Sequence, residues 1–289
     1  KTKALLHAKN LNTPVGGMVS SSNAKLLSDL YTAGVRRFVV KPVAGSLGKN
    51  THLNQTAKQV IAVLRGNPGT DFVLEQHVQG QEHRLFVVGQ EVVAAYQRIA
   101  GFVVGNGIDS IRTLCGKYDD LRRTNPYTAN RLLNPTEVEL ALLLNGRTWT
   151  DVPKPNEVVK LTKDGALSGQ NATPWSLHRV SQETKQLAVK AMQTVSARAG
   201  ALDMIIDARG VPYVLEINLR AMIAPLSFPW PTGLWNMNVP RALIADIFGK
   251  ADSTVRNVAS FDFAAMRAEI FKDGRTSRGV TAADFMKFE

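Results

Sequence analysis

Short runs of β-branched and aromatic residues alternate along this chain with segments whose apolar residues recur at helical spacing. The predicted helices lie at 4–8, 24–33, 54–65, 135–144, 183–199 and 238–248. The predicted strands lie at 35–40, 71–78, 83–88, 91–98, 157–162, 201–207 and 212–218. Gly200 is expected to end the long helix before it. The segment 110–157 is otherwise mixed, and the more polar chain from Lys250 onward is interpreted as a tail.

A glycine-rich loop follows the first predicted strand, and Lys41 lies where the strand gives way to it. Pro42 cannot donate to a sheet ladder, so regular pairing is expected to end there. Backbone N–H groups of small residues can approach an anion closely, and this loop contains Gly45, Ser46 and Gly48. The arrangement favours phosphate binding, although its spacing is not that of a P-loop. An ordinary hairpin with an exposed lysine is the alternative.

The last two predicted strands form a hairpin that carries two carboxylates. With a tight turn between the strands, Asp203 lies directly opposite Glu216, Asn218 shares their face, and Ile205 pairs with Val214. Two opposed carboxylates repel unless a cation lies between them, and Asp, Glu and Asn supply the hard oxygen ligands that Mg²⁺ prefers. We therefore expect a magnesium site. A solvated face of mixed polar residues is the alternative, and a slip of one residue would remove the site.

Two acidic residues, Glu75 and Glu82, flank the break at Gly80 between two predicted strands. An acid at a strand end can accept hydrogen bonds from ribose hydroxyls, and an extended backbone can bind the edge of an adenine. Surface charges beside a turn are an equally good interpretation of these residues taken alone. His77 and His83 have no partner at metal-ligand spacing in the sequence, so neither is expected to bind a metal or to act in catalysis.

The chain of 289 residues carries a net charge of +11. A balance this basic favours anionic partners, among them nucleotides, acidic metabolites, nucleic acid and anionic membranes. The single cysteine, Cys115, excludes an internal disulfide framework, and we expect it to be a small core residue. Since the sequence shows neither a signal peptide nor a run of about 18 apolar residues, we expect a cytoplasmic protein without a membrane-spanning helix. It begins at Lys1 in a helical pattern, which indicates a fragment or a trimmed chain.

Taken in order, the motifs of the chain resemble those of the ATP-grasp ligases over residues 1–249. The motifs are Phe38–Pro42, Gly45–Gly48, Leu74–Gln76, Gly80, Glu82, Asp203 and Leu215–Asn218. A narrower likeness links the chain to cyanophycin synthetases and bifunctional glutathione synthetases. It rests on His83–Gly89, Val92–Arg98, Val103–Gly107, Glu157–Leu161, Leu167–Gly169 and His178.

The resemblance implies an ATP-grasp fold of the α/β (α+β) class, in which two α+β subdomains clamp ATP between antiparallel sheets. Residues 1–76 would form a small lid with the glycine-rich phosphate loop, and residues 77–249 the core with the magnesium-binding hairpin. Residues 250–289 would be a C-terminal tail. In this family a pre-grasp substrate domain and a further phosphate-contacting lysine precede the matching region, so both would lie upstream of Lys1.

The resemblance also implies a role for each candidate site residue. The nucleotide-binding residues would be Lys41, Gly45, Ser46, Gly48, Glu75, Val78 and Glu82. Among them, Lys41 and the loop would contact the phosphates, Glu75 and the backbone of Val78 would face adenine, and Glu82 would face the ribose. The ligands of Mg²⁺, or of Mn²⁺ in its place, would be Asp203, Glu216 and Asn218. The electrostatic catalysts acting on the transferred phosphate would be Arg84, Arg98 and Lys41.

The reaction implied by the resemblance is ATP- and Mg²⁺-dependent ligation of a carboxylate to an amine. The carboxylate attacks ATP to give an acyl phosphate and ADP, and the amine then displaces phosphate to form a peptide-like amide. The partners would be small-molecule acids and amines, such as amino acids or peptides, with no membrane and no nucleic acid. A homo-oligomer is compatible with this function.

Two other classes of function stay open. A non-catalytic or accessory ATP-grasp domain would bind ATP without turnover. A basic nucleic-acid-binding protein would rest on charge alone, because the basic residues are scattered and no aromatic-rich recognition strand accompanies them. The acceptor is not predicted either, because Leu219–Pro225 departs from the family pattern in the segment that usually shapes the acceptor site. Arg220 in that segment either binds an acidic acceptor or lies at the surface.

Overall fold

The computed structural model describes residues 2–44, 50–99, 101–124, 132–162, 171–174, 177–223 and 239–249. The helices in these ranges are α1 (Thr2–Ala8), α2 (Lys25–Thr32), α3 (Ala57–Gly66), α4 (Ile111–Thr124), α5 (Pro135–Leu144), α6 (Gln182–Thr194) and α7 (Val239–Phe248). The strands are β1 (Gly16–Val19), β2 (Phe38–Pro42), β3 (His52–Gln55), β4 (Phe72–Gln76), β5 (Gly80–Val88), β6 (Glu91–Ile99), β7 (Phe102–Val104), β8 (Val158–Lys160), β9 (Asn171–Pro174), β10 (Ala199–Asp207) and β11 (Pro212–Asn218). None of the described helices combines the length and the apolar character needed to cross a bilayer.

A four-stranded antiparallel sheet with the order β1-β4-β2-β3 forms the smaller unit. The apolar faces of α2 and α3 pack against it and bury a core of their own. β2 ends at Pro42, as expected. The helix predicted at 54–65 begins at Ala57 instead, because β3 precedes it and Thr56 caps it. The Thr56 side chain accepts from the N–H of Gln59, and the Gln59 side chain accepts from the N–H of Thr56.

A five-stranded antiparallel sheet with the order β11-β10-β5-β6-β9 forms the larger unit. One face packs against α6 and α1, and four strands contribute buried side chains to this core. The core includes Leu6 of α1, and the carbonyl oxygen of Asn12 accepts a hydrogen bond from the N–H of Val214 in β11. The first residues of the predicted lid therefore pack against the larger sheet. The division into a lid at 1–76 and a core at 77–249 stays a prediction.

A separate small core forms where α4 and α5 pack beside the two-stranded sheet β7-β8. The sequence pattern does not predict α4 as a helix, although its buried apolar residues recur at helical spacing. They are Ile111, Leu114, Cys115 and Tyr118. The six charged residues of the helix, four of them within 119–123, conceal the pattern. Cys115 is the buried core residue expected, and burial raises the pKa of its thiol to about 12, so the thiol is protonated and unreactive at neutral pH.

Gly200 has a different role from the predicted one. The helix α6 ends at Thr194, and Gly200 lies inside β10. A Cβ atom at this position would come within 2.9 Å of the carbonyl oxygen of Asn218 and within 2.9 Å of Met192 Cε. The glycine therefore allows the hairpin and α6 to approach closely, and it does not end the helix.

A β-bulge lies in β11 between Val214 and Glu216. Asp203 is directly opposite Glu216, as predicted, but the register then shifts by one residue. The predicted pairing of Ile205 with Val214 is wrong, because the alternation of a regular strand does not account for the extra residue, Leu215. As a result, Val214 lies in the core beside α6, while Glu216, two residues on, lies on the opposite face with Asp203.

The buried His83 of β5 is expected to make the fold sensitive to acid. Burial lowers the pKa of His83 from 6.5 to about 4, and its Nδ1 lies 2.9 Å from the carbonyl oxygen of Gln81. Between these two pH values the unfolded chain takes up a proton that the folded chain does not. The free energy of unfolding is therefore at its full value above pH 6.5 and falls by about 3 kcal/mol as the pH falls towards 4.

The variant His83→Gln removes this titration. Urea unfolding at a series of pH values should show a shallower loss of stability between pH 6.5 and 4 in His83→Gln than in the parent. His7→Gln, at an exposed position of α1, is the matched control and should keep the parent slope. An unchanged slope in His83→Gln would contradict the prediction.

Candidate active site

Four strands of the larger sheet carry a row of polar side chains in register. The row consists of Glu216 on β11, Asp203 on β10, Arg84 on β5 and Tyr96 on β6. Directly opposed neighbours share a face of a sheet. This face is the one opposite α6, because it also carries Phe86 and Ala201, which pack with Val239 of α7. The polar row therefore borders an apolar patch that α7 covers.

Asp203 is the centre of this row and is only 6% exposed. Arg84 holds both of its oxygens, with Nε donating to Oδ1 and Nη2 donating to Oδ2, each at 2.7 Å. Arg98 Nη2 lies 3.4 Å from Oδ1, and Asn218 Nδ2 donates to Oδ2 at 3.3 Å. Two arginines thus supply positive charge beside the opposed carboxylates, where the sequence led us to expect a metal ion alone.

A second, partly buried pair adjoins the first, between Arg98 and Glu82. Arg98 Nη1 donates to Glu82 Oε1 at 2.6 Å. Burial raises the pKa of Glu82, and the charge of Arg98 offsets that rise only in part. Burial disfavours the charged form of both guanidinium groups, but the contacts with Asp203 outweigh it and raise the pKa of Arg84 and of Arg98. Both arginines therefore stay charged, and neither can act as a proton donor.

The buried carboxylate of Glu75, at the end of β4, lies between two lysines. Lys41 Nζ is 3.3 Å from Glu75 Oε2, and Lys3 Nζ is 2.6 Å from Glu75 Oε1. The structure therefore brings Lys41 and Glu75 into contact. Val78 lies in the connection between β4 and β5, where the chain passes from the small sheet to the larger one. The loop residues Gly45, Ser46 and Gly48 lie outside the described residues.

The oxygen atoms of the hairpin fit Mg²⁺ in type. Glu216 is exposed, and the Nδ2 of Asn218 donates to Asp203, which leaves its amide oxygen for a cation. Within the described ranges, no cluster of three or more His, Cys, Asp or Glu residues could hold a metal. Two carboxylates and one amide suit Mg²⁺ when phosphate oxygens and water complete its shell.

Sequence reasoning missed two residues of this region, Tyr96 and Lys3. Tyr96 is buried directly opposite Arg84, and burial raises the pKa of its hydroxyl while the charges of Arg84 and Arg98 oppose that rise. Tyr96 and Arg98 are two residues apart on β6, so their side chains share a face of the sheet. The alternation of the strand could therefore have indicated Tyr96 as a residue of this site. Lys3 meets Glu75 across 72 positions of the chain, and no local pattern indicates such a contact.

No family model matches the chain. A solved structure, a bifunctional glutathione synthetase from Pasteurella multocida, aligns with 85% of this chain and 35% of that chain, with a TM-score of 0.62 and 21% sequence identity. The chain therefore has the ATP-grasp fold, which confirms the fold class expected from its motifs.

Curated relatives are named glutathione biosynthesis bifunctional protein GshAB. The protein from Desulfotalea psychrophila is 27% identical over 219 residues, which are 71% of this chain and 27% of the relative. The protein from Listeria welshimeri is 23% identical over 242 residues, which are 79% of this chain and 31% of the relative. The resemblance to bifunctional glutathione synthetases is thus confirmed. The chain spans less than a third of the length of these two relatives.

Proposed function

We propose that this chain is the ATP-grasp part of an ADP-forming carboxylate–amine ligase. The observation that supports this most is the convergence of Arg84 and Arg98 on Asp203, on one face of the larger sheet. Two guanidinium groups held in place by buried acids form a preorganised site for negative charge that develops during a reaction. The names of the relatives, which are glutathione biosynthesis proteins, support ligation as that reaction.

In this proposal ATP lies between the small sheet and the larger one. Lys41 contacts its phosphates together with the glycine-rich loop, the backbone of Val78 faces adenine, and Glu82 faces the ribose. Glu75 is also assigned to the adenine end. Its carboxylate lies between Lys3 and Lys41 in this structure.

Asp203, Glu216 and Asn218 would hold Mg²⁺, or Mn²⁺ in its place. When bound, the metal supplies positive charge to the phosphates. Glu216 is the more available ligand because it is exposed, whereas both oxygens of Asp203 already accept from Arg84. The two carboxylates would therefore have different roles. Glu216 would bind the metal, whereas Asp203 would bind both the metal and the arginines.

Arg84 and Arg98 would act through charge alone. A substrate carboxylate attacks the γ-phosphorus of ATP, the bond to the bridging oxygen breaks, and ADP leaves. An amine then attacks the acyl carbon, phosphate leaves with the bonding electrons, and an amide forms. Amino acids or short peptides are the substrate class that the relatives' names support. The cytoplasmic location and a homo-oligomeric state stay predictions.

The intermediate gives the sharpest test of this reaction. Hydroxylamine is a good nucleophile, so it should replace the natural amine and trap the acyl phosphate as a hydroxamate. We expect equal amounts of hydroxamate, ADP and phosphate, formed only with Mg²⁺, ATP and the correct acid. The experiment is a screen of amino acids and short peptides as the acid, with ADP and hydroxamate measured in parallel.

The products separate the candidate functions. AMP and pyrophosphate would mean adenylation and would contradict an ATP-grasp mechanism. ATP bound without turnover across the whole screen would favour the accessory, non-catalytic domain. Failure to bind ATP at all would remove the nucleotide site from this chain.

A further inference from the structure

Lys3 completes a three-residue cluster around the buried Glu75, beside the proposed nucleotide site. Its ammonium group contacts one oxygen of Glu75 at 2.6 Å, while Lys41 lies 3.3 Å from the other. The Glu75 side chain is 3% exposed, and its stem packs against the backbone of β1 at Gly16, where a Cβ atom would come within 2.9 Å of Glu75 Cγ. The carboxylate is therefore fixed in place between the two lysines.

The two lysines of this cluster come from different units. Lys41 and Glu75 lie on β2 and β4 of the small sheet. Lys3 lies on α1, which packs through Leu6 into the core of the larger sheet. The contact between Lys3 and Glu75 thus links α1 of the larger unit to the end of β4, where Glu75 also contacts Lys41.

The charges of the cluster are unequal, since two ammonium groups share one carboxylate. Burial lowers the pKa of Lys3, the charge of Glu75 offsets this in part, and the neighbouring charge of Lys41 lowers the pKa further. A buried carboxylate that loses its partner is costly. If Lys41 turned towards a phosphate, Lys3 would remain as the partner of Glu75.

We propose that Lys3 is a positioning residue of the nucleotide site, which keeps Glu75 paired so that Lys41 is free to bind phosphate. The inference rests on the proposed function, because it assigns Lys41 to the phosphates of ATP. Lys3 touches no reacting atom in this scheme. Its effect reaches the nucleotide only through Glu75 and Lys41.

The variant Lys3→Met removes the charge and keeps much of the length of the side chain. Without Lys3, moving Lys41 to a phosphate leaves the buried Glu75 without either lysine. We expect Lys3→Met to bind ATP about tenfold more weakly than the parent, because truncating one partner of a buried charge pair is costly. Adenosine, which has no phosphate, should bind both proteins equally. Lys3→Arg should bind ATP almost as tightly as the parent.

Two further variants make the test specific. In a Glu75→Gln background the substitution Lys3→Met should no longer weaken ATP binding, because no buried carboxylate then loses both lysines when Lys41 moves to a phosphate. Lys9→Met, at an exposed position just after α1, is the matched control. Titration calorimetry with ATP and with adenosine measures all of these affinities, and thermal melting confirms that each variant is folded.

The results distinguish the inference from the proposed function. Absence of ATP binding in the parent protein would overturn both. If the parent binds ATP, then unchanged affinity in Lys3→Met would overturn the positioning role alone. So would an equal loss for adenosine, or a loss that persists at full size in the Glu75→Gln background.

Discussion

The variant Asp203→Asn is expected to lose about 3 kcal/mol of its free energy of unfolding, because removal of one partner leaves a buried charge uncompensated. Asp203 accepts two hydrogen bonds from Arg84, and its side chain is 8% exposed. Asparagine keeps the shape but carries no charge, so the partly buried Arg84 would lose its counter-ion. Arg98 would be affected less, since Glu82 remains as its partner.

The variant Glu216→Gln should behave differently, although Glu216 lies directly opposite Asp203. Glu216 is exposed, and substitution at such a position is expected to change stability by less than about 0.5 kcal/mol. Both variants should weaken Mg²⁺-dependent ATP binding. Urea unfolding measures the first difference and calorimetry with MgATP the second. Glu91→Gln, at an exposed position of β6, is the control and should change neither quantity. Equal losses of stability in Asp203→Asn and Glu216→Gln would contradict this division of roles.

The variant Arg98→Met should lower kcat by about 10²–10³-fold, the usual cost of removing one preorganised electrostatic group. KM for ATP should change much less, because the guanidinium would act mainly on charge that develops in the transition state. Steady-state kinetics of ADP release, with the acid identified by the hydroxamate screen, measures both constants. A rise in KM for ATP with kcat unchanged would assign Arg98 to substrate binding instead.

A loss of stability in Arg98→Met could be mistaken for a loss of catalysis, because the partly buried Glu82 would lose its partner. The double variant Arg98→Met/Glu82→Gln removes that unpaired charge. We expect it to recover stability and to remain slow at saturating ATP. Arg209→Met, at the exposed turn of the hairpin, is the matched control and should keep the parent kcat.

Much of the fold follows from local patterns. The strands β2, β4, β5, β6, β10 and β11 lie close to their predicted positions, because β-branched and aromatic runs between turns indicate strands. The helix α4 was missed because its charged residues, most of them at 119–123, make the segment look polar. Gly200 was misinterpreted because its role depends on the approach of Asn218 and Met192, which the local sequence does not contain.

The candidate site was likewise predictable only in part from the sequence. The pairing of Asp203 with Glu216 was predictable only in part, because the register that the turn sets would place Leu215 opposite Asp203, and the bulge brings Glu216 there instead. The contact of Asp203 with Arg84 was not, because it joins residues 119 positions apart and depends on the order of strands in the sheet. The assignment of Arg84 to the site came from the resemblance to ATP-grasp ligases. The roles of the site residues remain proposals.

The bulge at Leu215 has a consequence for how this hairpin can change in length during evolution. Deleting one residue from a regular strand reverses the face of every side chain on one side of the deletion. Here Val214 faces the core and Glu216 the opposite side, with Leu215 as the extra residue between them. Loss of Leu215 would leave Val214, Glu216 and Asn218 each on its present face. A related protein can therefore lack this residue and still present Glu216 and Asn218, the proposed metal ligands, beside Asp203.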